Sequence, residues 1–218
     1  MVLPGEVIGC VDEVGRGSLA GPVSVGLVFI DPHLPGAPDG VRDSKELSLS
    51  ARERMAPLVK EWILAGAVGH ASALEIDEFG IVAALRLAGR RAWNQALASL
   101  AERGGYAPPR VAVLDGNLNW LSPVEADLFG APEPGDAEGL LAVDAAVHTR
   151  VKGDRDCLGV GAASILAKVE RDELMLALDE QYPAYGWQRN KGYGSAEHKA
   201  AIAAHGATEA HRRTWKLL

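Results

Sequence analysis

Cysteine is nearly absent. Only Cys10 and Cys157 occur in 218 residues, so a disulfide framework is excluded and a cytoplasmic chain with reduced thiols is expected. No Cys/His cluster suggests a zinc site. No apolar run approaches the roughly 18 residues that a membrane span needs. The start carries Glu6, Asp12 and Glu13 with no basic residue before them, which excludes a secretory signal. P-loop, dinucleotide-binding and Ser/His/Asp signatures are missing: Gly15-Arg16-Gly17 is followed by Ala20 where a dinucleotide fingerprint needs glycine. Internal repeats are also missing. What remains is an ordinary globular composition, 48% hydrophobic and 23% charged, able to build a core without staples.

Basic residues are in the minority, 22 against 29 acids, for a net charge of -7. Alone, this argues against nucleic-acid binding. The deficit is local, however. Residues 118–147 contain no Lys or Arg, but hold Glu125, Asp127, Glu133, Asp136, Glu138 and Asp144. The tail is basic, with Arg189, Lys191, Lys199, Arg212, Arg213 and Lys216 against Glu197 and Glu209. Because charge acts locally under salt screening, that tail can still meet phosphates.

Hydrophobic periodicity predicts strands over 6–14, 23–30, 67–73, 111–114 and 145–151. It predicts helices from a Ser48–Ser50 cap to about Leu64, with Glu53 at capping-box spacing from Ser50, and over 76–100, 161–181, 196–205 and 208–217. Residues 182–193 read as a loop, and 118–143 as an acidic surface insertion. The order is mixed α/β.

Asp12 and Glu13 lie at the end of an apolar strand, where paired acids are costly unless they bind a cation. Neighbouring strand residues point to opposite faces, so one site for both requires the strand to have ended or bulged. Asp115 and Asp154 also follow strands. Four carboxylates at three strand ends favour a hard cation, Mg²⁺ or Mn²⁺. Gly15-Arg16-Gly17 offers backbone N–H groups and a guanidinium to a phosphate or ribose hydroxyl. Lys45 stands before a helix, and Tyr193 lies between glycines as a stacking platform. Arg212 and Arg213 are placed on a helix that clamps a nucleic-acid backbone.

Taken in order, these segments resemble ribonuclease HII: Val11 to Pro22, Asp43 to Ser48, Glu75-Ile76-Asp77, Leu114 to Asn117, Lys152-Gly153-Asp154, Ala162 to Asp172, Tyr182 to Gly186, Asn190 to Ser195 and His211-Arg212-Arg213. The resemblance implies an α/β ribonuclease H-like fold with a mixed five-stranded sheet flanked by helices. It implies a catalytic domain over 1–181, carrying the insertion 118–143, and a C-terminal helical substrate-binding extension over 182–218. The implied activity is cleavage of the RNA strand of RNA–DNA hybrids and incision 5′ to single ribonucleotides in duplex DNA, leaving 5′-phosphate and 3′-hydroxyl ends. Asp12, Glu13, Asp115 and Asp154 match the catalytic acids of a two-metal Mg²⁺ or Mn²⁺ site. Gly15, Arg16 and Gly17 match the loop that senses the 2′-hydroxyl, and Tyr193 the tyrosine that stacks at the RNA-to-DNA junction. Lys45, Lys168, Arg212 and Arg213 are candidate backbone contacts. A monomer acting on nucleic acid, with no membrane, is expected. The sequence shows no partner-binding peptide.

Three features depart from the family pattern. The long interval after Asp115 leaves Asp144 and Asp156 as rivals to Asp154, which is preferred because Lys152-Gly153 precede it. Gly80 replaces the usual Asn, which is expected to weaken the helix locally without loss of chemistry, and Gly159 and Gly161 loosen the entry to the long helix. The rival readings are ribonuclease HIII, disfavoured because no N-terminal substrate domain precedes Asp12, and a non-catalytic hybrid-binding module.

Overall fold

The computed structural model describes residues 6–33, 36–41, 47–123 and 134–218. Lys45 and residues 124–133 of the acidic insertion lie outside the described residues. Five strands form one mixed sheet: β1 (Ile8–Val14), β2 (Val23–Ile30), β3 (Ala65–Ala71), β4 (Val111–Asp115) and β5 (Ala146–Arg150), in spatial order β3-β2-β1-β4-β5. The pairs β1–β2 and β2–β3 are antiparallel, and β1–β4 and β4–β5 are parallel. Both parallel pairs therefore end on the same side of the sheet, where Asp115 stands.

Seven α-helices accompany the sheet among the described residues: α1 (Leu49–Trp62), α2 (Ala73–Phe79), α3 (Ile81–Arg103), α4 (Gly153–Asp156), α5 (Leu158–Gln181), α6 (Trp187–Asn190) and α7 (Ala196–His205), with a short 3-10 turn at Pro183–Tyr185. On one face α3 covers β2 and β3, with Val11, Leu27, Trp93 and Leu114 in the shared core. On the other face α5 covers β1 and β2, and α1 packs on α5, around Cys10, Val28, Val59 and Ala163. Trp93 meets Phe29 edge-on at 5.1 Å, and truncating such a buried ring costs about 3–5 kcal/mol.

Several expectations need correction. The helix expected over 76–100 is two helices. Gly80 has φ +77° and is both the C-cap of α2 and the residue before α3, a conformation that few side chains accept. The first cap of α1 is Ser48, which accepts from Ala51 N, whereas the capping box is built at Ser72 and Glu75 on α2. The helix expected over 208–217 is absent. There Thr208 and His211 bond backbone groups locally, Arg212 N donates to Leu19 O at 2.9 Å, and Ala20 bridges His211. Such side-chain bonds compete with a helical ladder.

The long helix begins earlier than expected, at Leu158. Gly159 is needed there, because a Cβ would come within 2.4 Å of Cys10 Sγ. The C-terminal segment packs a third core of Leu19, Met175, Tyr185, Trp187, Ile202 and Ala210. It is thereby fastened to the loop after β1.

Candidate active site

Strand alternation places the acids. Even-numbered residues of β1 face α5, and odd-numbered ones face α3. Asp12 accordingly meets Ser164 of α5, whose hydroxyl donates to it, and its Oδ1 accepts from Glu13 N at 2.8 Å. Glu13 points the other way, toward the Trp120 indole, with Arg16 3.5 Å away. The strand neither ends nor bulges at this point, since its ladder with β2 runs on to Val14–Ser24. Its parallel ladder with β4 stops at Val11–Leu114. Beyond that stop the two carboxylates straddle the open end of the sheet, and both feel the charge of Asp115.

Asp115 closes β4 and accepts from Gly153 N at 2.7 Å. That bond sets the one-turn helix α4, with buried Asp154, beside it. The rivals are placed elsewhere. Asp144 precedes Ala146, which pairs with Val111, while Asp115 pairs with Arg150. Four strand steps of ~3.3 Å, about 13 Å in all, thus separate the two ends. Asp156 is half-exposed and bonded to Arg150 at 2.8 Å.

The electrostatics work against charge on both β1 acids. Burial lifts the Asp12 pKa to about 7; the Ser164 bond opposes this, and the charges of Glu13 and Asp115 add to it. Burial also raises Glu13, against the pull of Arg16 and Trp120 and with a further push from Asp115. Among the described residues, no three His, Cys, Asp or Glu side chains are already gathered closely enough to hold an ion. Glu13 Oε2 is nevertheless buried with no hydrogen-bond partner. An orphaned carboxylate oxygen beside two more acids costs free energy that a divalent cation removes. The donors are all hard oxygens, so the set fits Mg²⁺ or Mn²⁺.

Trp120 was not among the expected site residues. It lies in the segment after Asp115-Gly116-Asn117 and is 1% exposed, packed on Gly89 of α3. A lone tryptophan opening a polar insertion carries no local signal of what it will reach.

The loop after β1 is held from behind. Arg212, expected on an exposed helix, is fully buried, and it donates to Gly15 O at 2.6 Å, Arg16 O at 2.8 Å and Gly21 O at 3.2 Å. Arg171 of α5 is equally buried and donates to Pro22 O and Ser18 Oγ, each at 2.9 Å, and to Lys191 O at 3.0 Å. Arg16 is half-exposed in front of this support. Tyr193 is 41% exposed, 5.7 Å from the Arg171 guanidinium. Behind Tyr193, His198 Nδ1 meets the Tyr193 carbonyl, and its Nε2 meets Trp187 and His211. Arg213 is exposed, with its backbone N–H fixed by Asp77 at 2.7 Å. Lys168 is paired with Asp172, which Arg52 also approaches at 3.6 Å.

The family model for ribonuclease HII matches residues 8–99 and 115–218. Ribonuclease HII of Chromobacterium violaceum is 43% identical over 205 residues, covering 94% of this chain and 88% of its own. The crystal structure of ribonuclease H2 from Pyrococcus horikoshii superposes with a TM-score of 0.68 at 26% identity, covering 97% of this chain and 94% of that one. Bst-RNase HIII in complex with Mn²⁺ shares the fold, with a TM-score of 0.66 at 22% identity over 99% of this chain and 68% of that one. No helix among the described residues is long and apolar enough to cross a membrane. The acids at the sheet end, the braced loop behind them and these matches agree: the chain belongs to the ribonuclease HII family, the type 2 ribonuclease H endoribonucleases, which act on nucleic acid and depend on divalent metal.

Proposed function

We propose that this protein cleaves the RNA strand of RNA–DNA hybrids and nicks duplex DNA on the 5′ side of a single embedded ribonucleotide, leaving 5′-phosphate and 3′-hydroxyl ends. The observation that carries this reading is the straddled sheet end, where Asp12 and Glu13 reach past the last β1–β4 pair toward Asp115 and one Glu13 oxygen is left without a partner. Asp12, Glu13, Asp115 and Asp154 would hold two Mg²⁺ or Mn²⁺ ions. Bound there, the metal supplies Lewis-acid stabilisation of the scissile phosphate and a more acidic water.

The chain's own residues do the rest. Ser164 and the Glu13 N–H hold Asp12, and the Gly153 N–H holds Asp115, so their free oxygens stay turned to the site. The Gly15–Gly17 backbone meets the ribose 2′-hydroxyl, the group that separates RNA from DNA. Tyr193 stacks on the deoxyribose that follows. Exposed Arg16 and Arg213 contact phosphates, and Lys168 and Lys45 are held as further contacts. Arg212 acts on the loop from its buried side, and we assign it support in place of direct backbone contact.

The test is cleavage of a DNA duplex with one ribonucleotide, and of a continuous hybrid, with Mg²⁺, Mn²⁺ or EDTA. A metal-dependent nick 5′ to the ribonucleotide is expected. Binding without cleavage of either substrate would leave a hybrid-binding module.

A further inference from the structure

We infer that Arg171 is a specificity-determining positioning residue, which joins the 2′-hydroxyl-sensing loop and the Tyr193 platform into one unit and so sets the preference for a single embedded ribonucleotide over a continuous hybrid. The inference rests on the function proposed above and deepens it.

The two segments are far apart in the chain, and one guanidinium spans both. On the loop side, Arg171 Nε donates to Pro22 O, and Nη2 donates to Ser18 Oγ and to Ala20 O at 3.4 Å. On the platform side, Nη1 donates to Lys191 O, and the guanidinium lies 5.7 Å from the Tyr193 ring centroid. That spacing is within cation–π range. Gly15 completes the fit: its φ is +81°, and a Cβ there would lie 2.0 Å from Arg171 Nε. The segments also meet directly, since Leu19 N and Ala20 N donate to Gly192 O at 2.8 and 3.2 Å.

The other supports act on one side each. The donors of Arg212 go to Gly15, Arg16 and Gly21. His198 holds the Tyr193 carbonyl. Arg171 is fully buried and sits on the rigid helix α5, the helix whose Ser164 also bonds Asp12. The distance between the sensing loop and the stacking ring is therefore referred to the element that holds a metal-site acid. A junction is read by two contacts on successive nucleotides, so their spacing decides discrimination. A continuous hybrid needs only the first contact.

Lysine keeps the charge but lacks the fork. The experiment compares kcat/KM on the single-ribonucleotide duplex and on continuous hybrid for wild type, Arg171→Lys, Tyr193→Ala and the double variant. Loss of folded enzyme lowers both rates together and leaves their ratio unchanged, so the ratio isolates positioning. Arg171→Lys is expected to lower the single-to-hybrid ratio at least about fivefold, and the double variant to stay within about twofold of Tyr193→Ala, as residues acting through one another do. If Arg171→Lys does not fold, Ser18→Ala removes one acceptor of the same fork and is expected to lower the ratio about two- to threefold. An unchanged ratio in the folded variant, or effects that multiply in the double variant, overturns the inference alone. Wild type that cleaves neither substrate overturns the proposed function and this inference with it.

Discussion

The Trp120 indole lies beside Glu13 on the opposite side of the sheet to Ser164 and pulls the Glu13 pKa down, as Ser164 does for Asp12. That carboxylate has one oxygen buried without a partner, so an adjacent N–H bears on how it is oriented. Trp120→Phe keeps most of the ring packing on Gly89 and removes the donor. Groups that orient metal ligands in this way are worth about 10- to 100-fold in metal affinity. Calorimetric titration with Mn²⁺ should show a loss of that size, with thermal stability lowered by only about 1 kcal/mol. Unchanged Mn²⁺ affinity would make Trp120 a packing residue only.

Asp115→Asn should separate chemistry from folding. The asparagine Oδ1 can still accept from Gly153 N, now bonded at 2.7 Å, so α4 stays in place. Loss of one preorganised charge should cut cleavage at least about 100- to 1,000-fold. It should also lower the Asp12 pKa from about 7, because Asp115 is one of the charges that raise it. Carboxyl titration followed by NMR reads the second effect in metal-free protein without any activity assay.

Gly15→Ala should fail for two reasons at once. Its φ of +81° disfavours a side chain, and the new Cβ would meet the Arg171 guanidinium 2.0 Å away. The left-handed backbone costs about 1–2 kcal/mol, and displacing a buried guanidinium from its acceptors adds to it. The denaturation midpoint should fall, and cleavage of both substrates should fall with it. A variant of native stability would mean that Arg171 moves aside at no cost.

Acid should loosen the support of Tyr193. Burial pulls the His211 pKa down to about 4, helped by neighbouring His198 and Arg213. His211 Nδ1 accepts from Thr208 N at 2.9 Å, so protonation there places two donors face to face. The unfolded chain takes up this proton near pH 6.5, and the folded one only near 4. The stability present above pH 6.5 is therefore lost progressively as pH falls from 6.5 to 4, by an amount on the order of 1–3 kcal/mol. Urea midpoints measured between pH 7 and pH 4 should show this slope, and His211→Gln should flatten it. An equal slope in that variant would place the titrating group elsewhere.

Much of the frame was legible in the chain. The apolar run 23–30 became β2 residue for residue, because a buried strand needs only continuous β-formers and a glycine-rich entry. Asp12, Glu13 and Asp115 stand out in the sequence because acids are costly in or beside such apolar runs. Gly80 was legible as a local weakness but not as a full break, since apolar spacing continues across it and only the backbone torsion interrupts the helix. Nor was the tail, where Asp77 and Leu19, remote in sequence, hold residues that in isolation read as helical.

The sequence by itself determined the strand order's raw material, the acids and the segments around the site. Tertiary structure alone decided which acid side chain faces which layer, that Trp120 reaches Glu13, and that Arg171 and Arg212 are buried supports although charge places arginine on the surface. The physical reason is common to all three. Each depends on carbonyls and carboxylates brought together by chain segments distant in sequence, and a buried guanidinium or indole N–H is stable only where those acceptors converge.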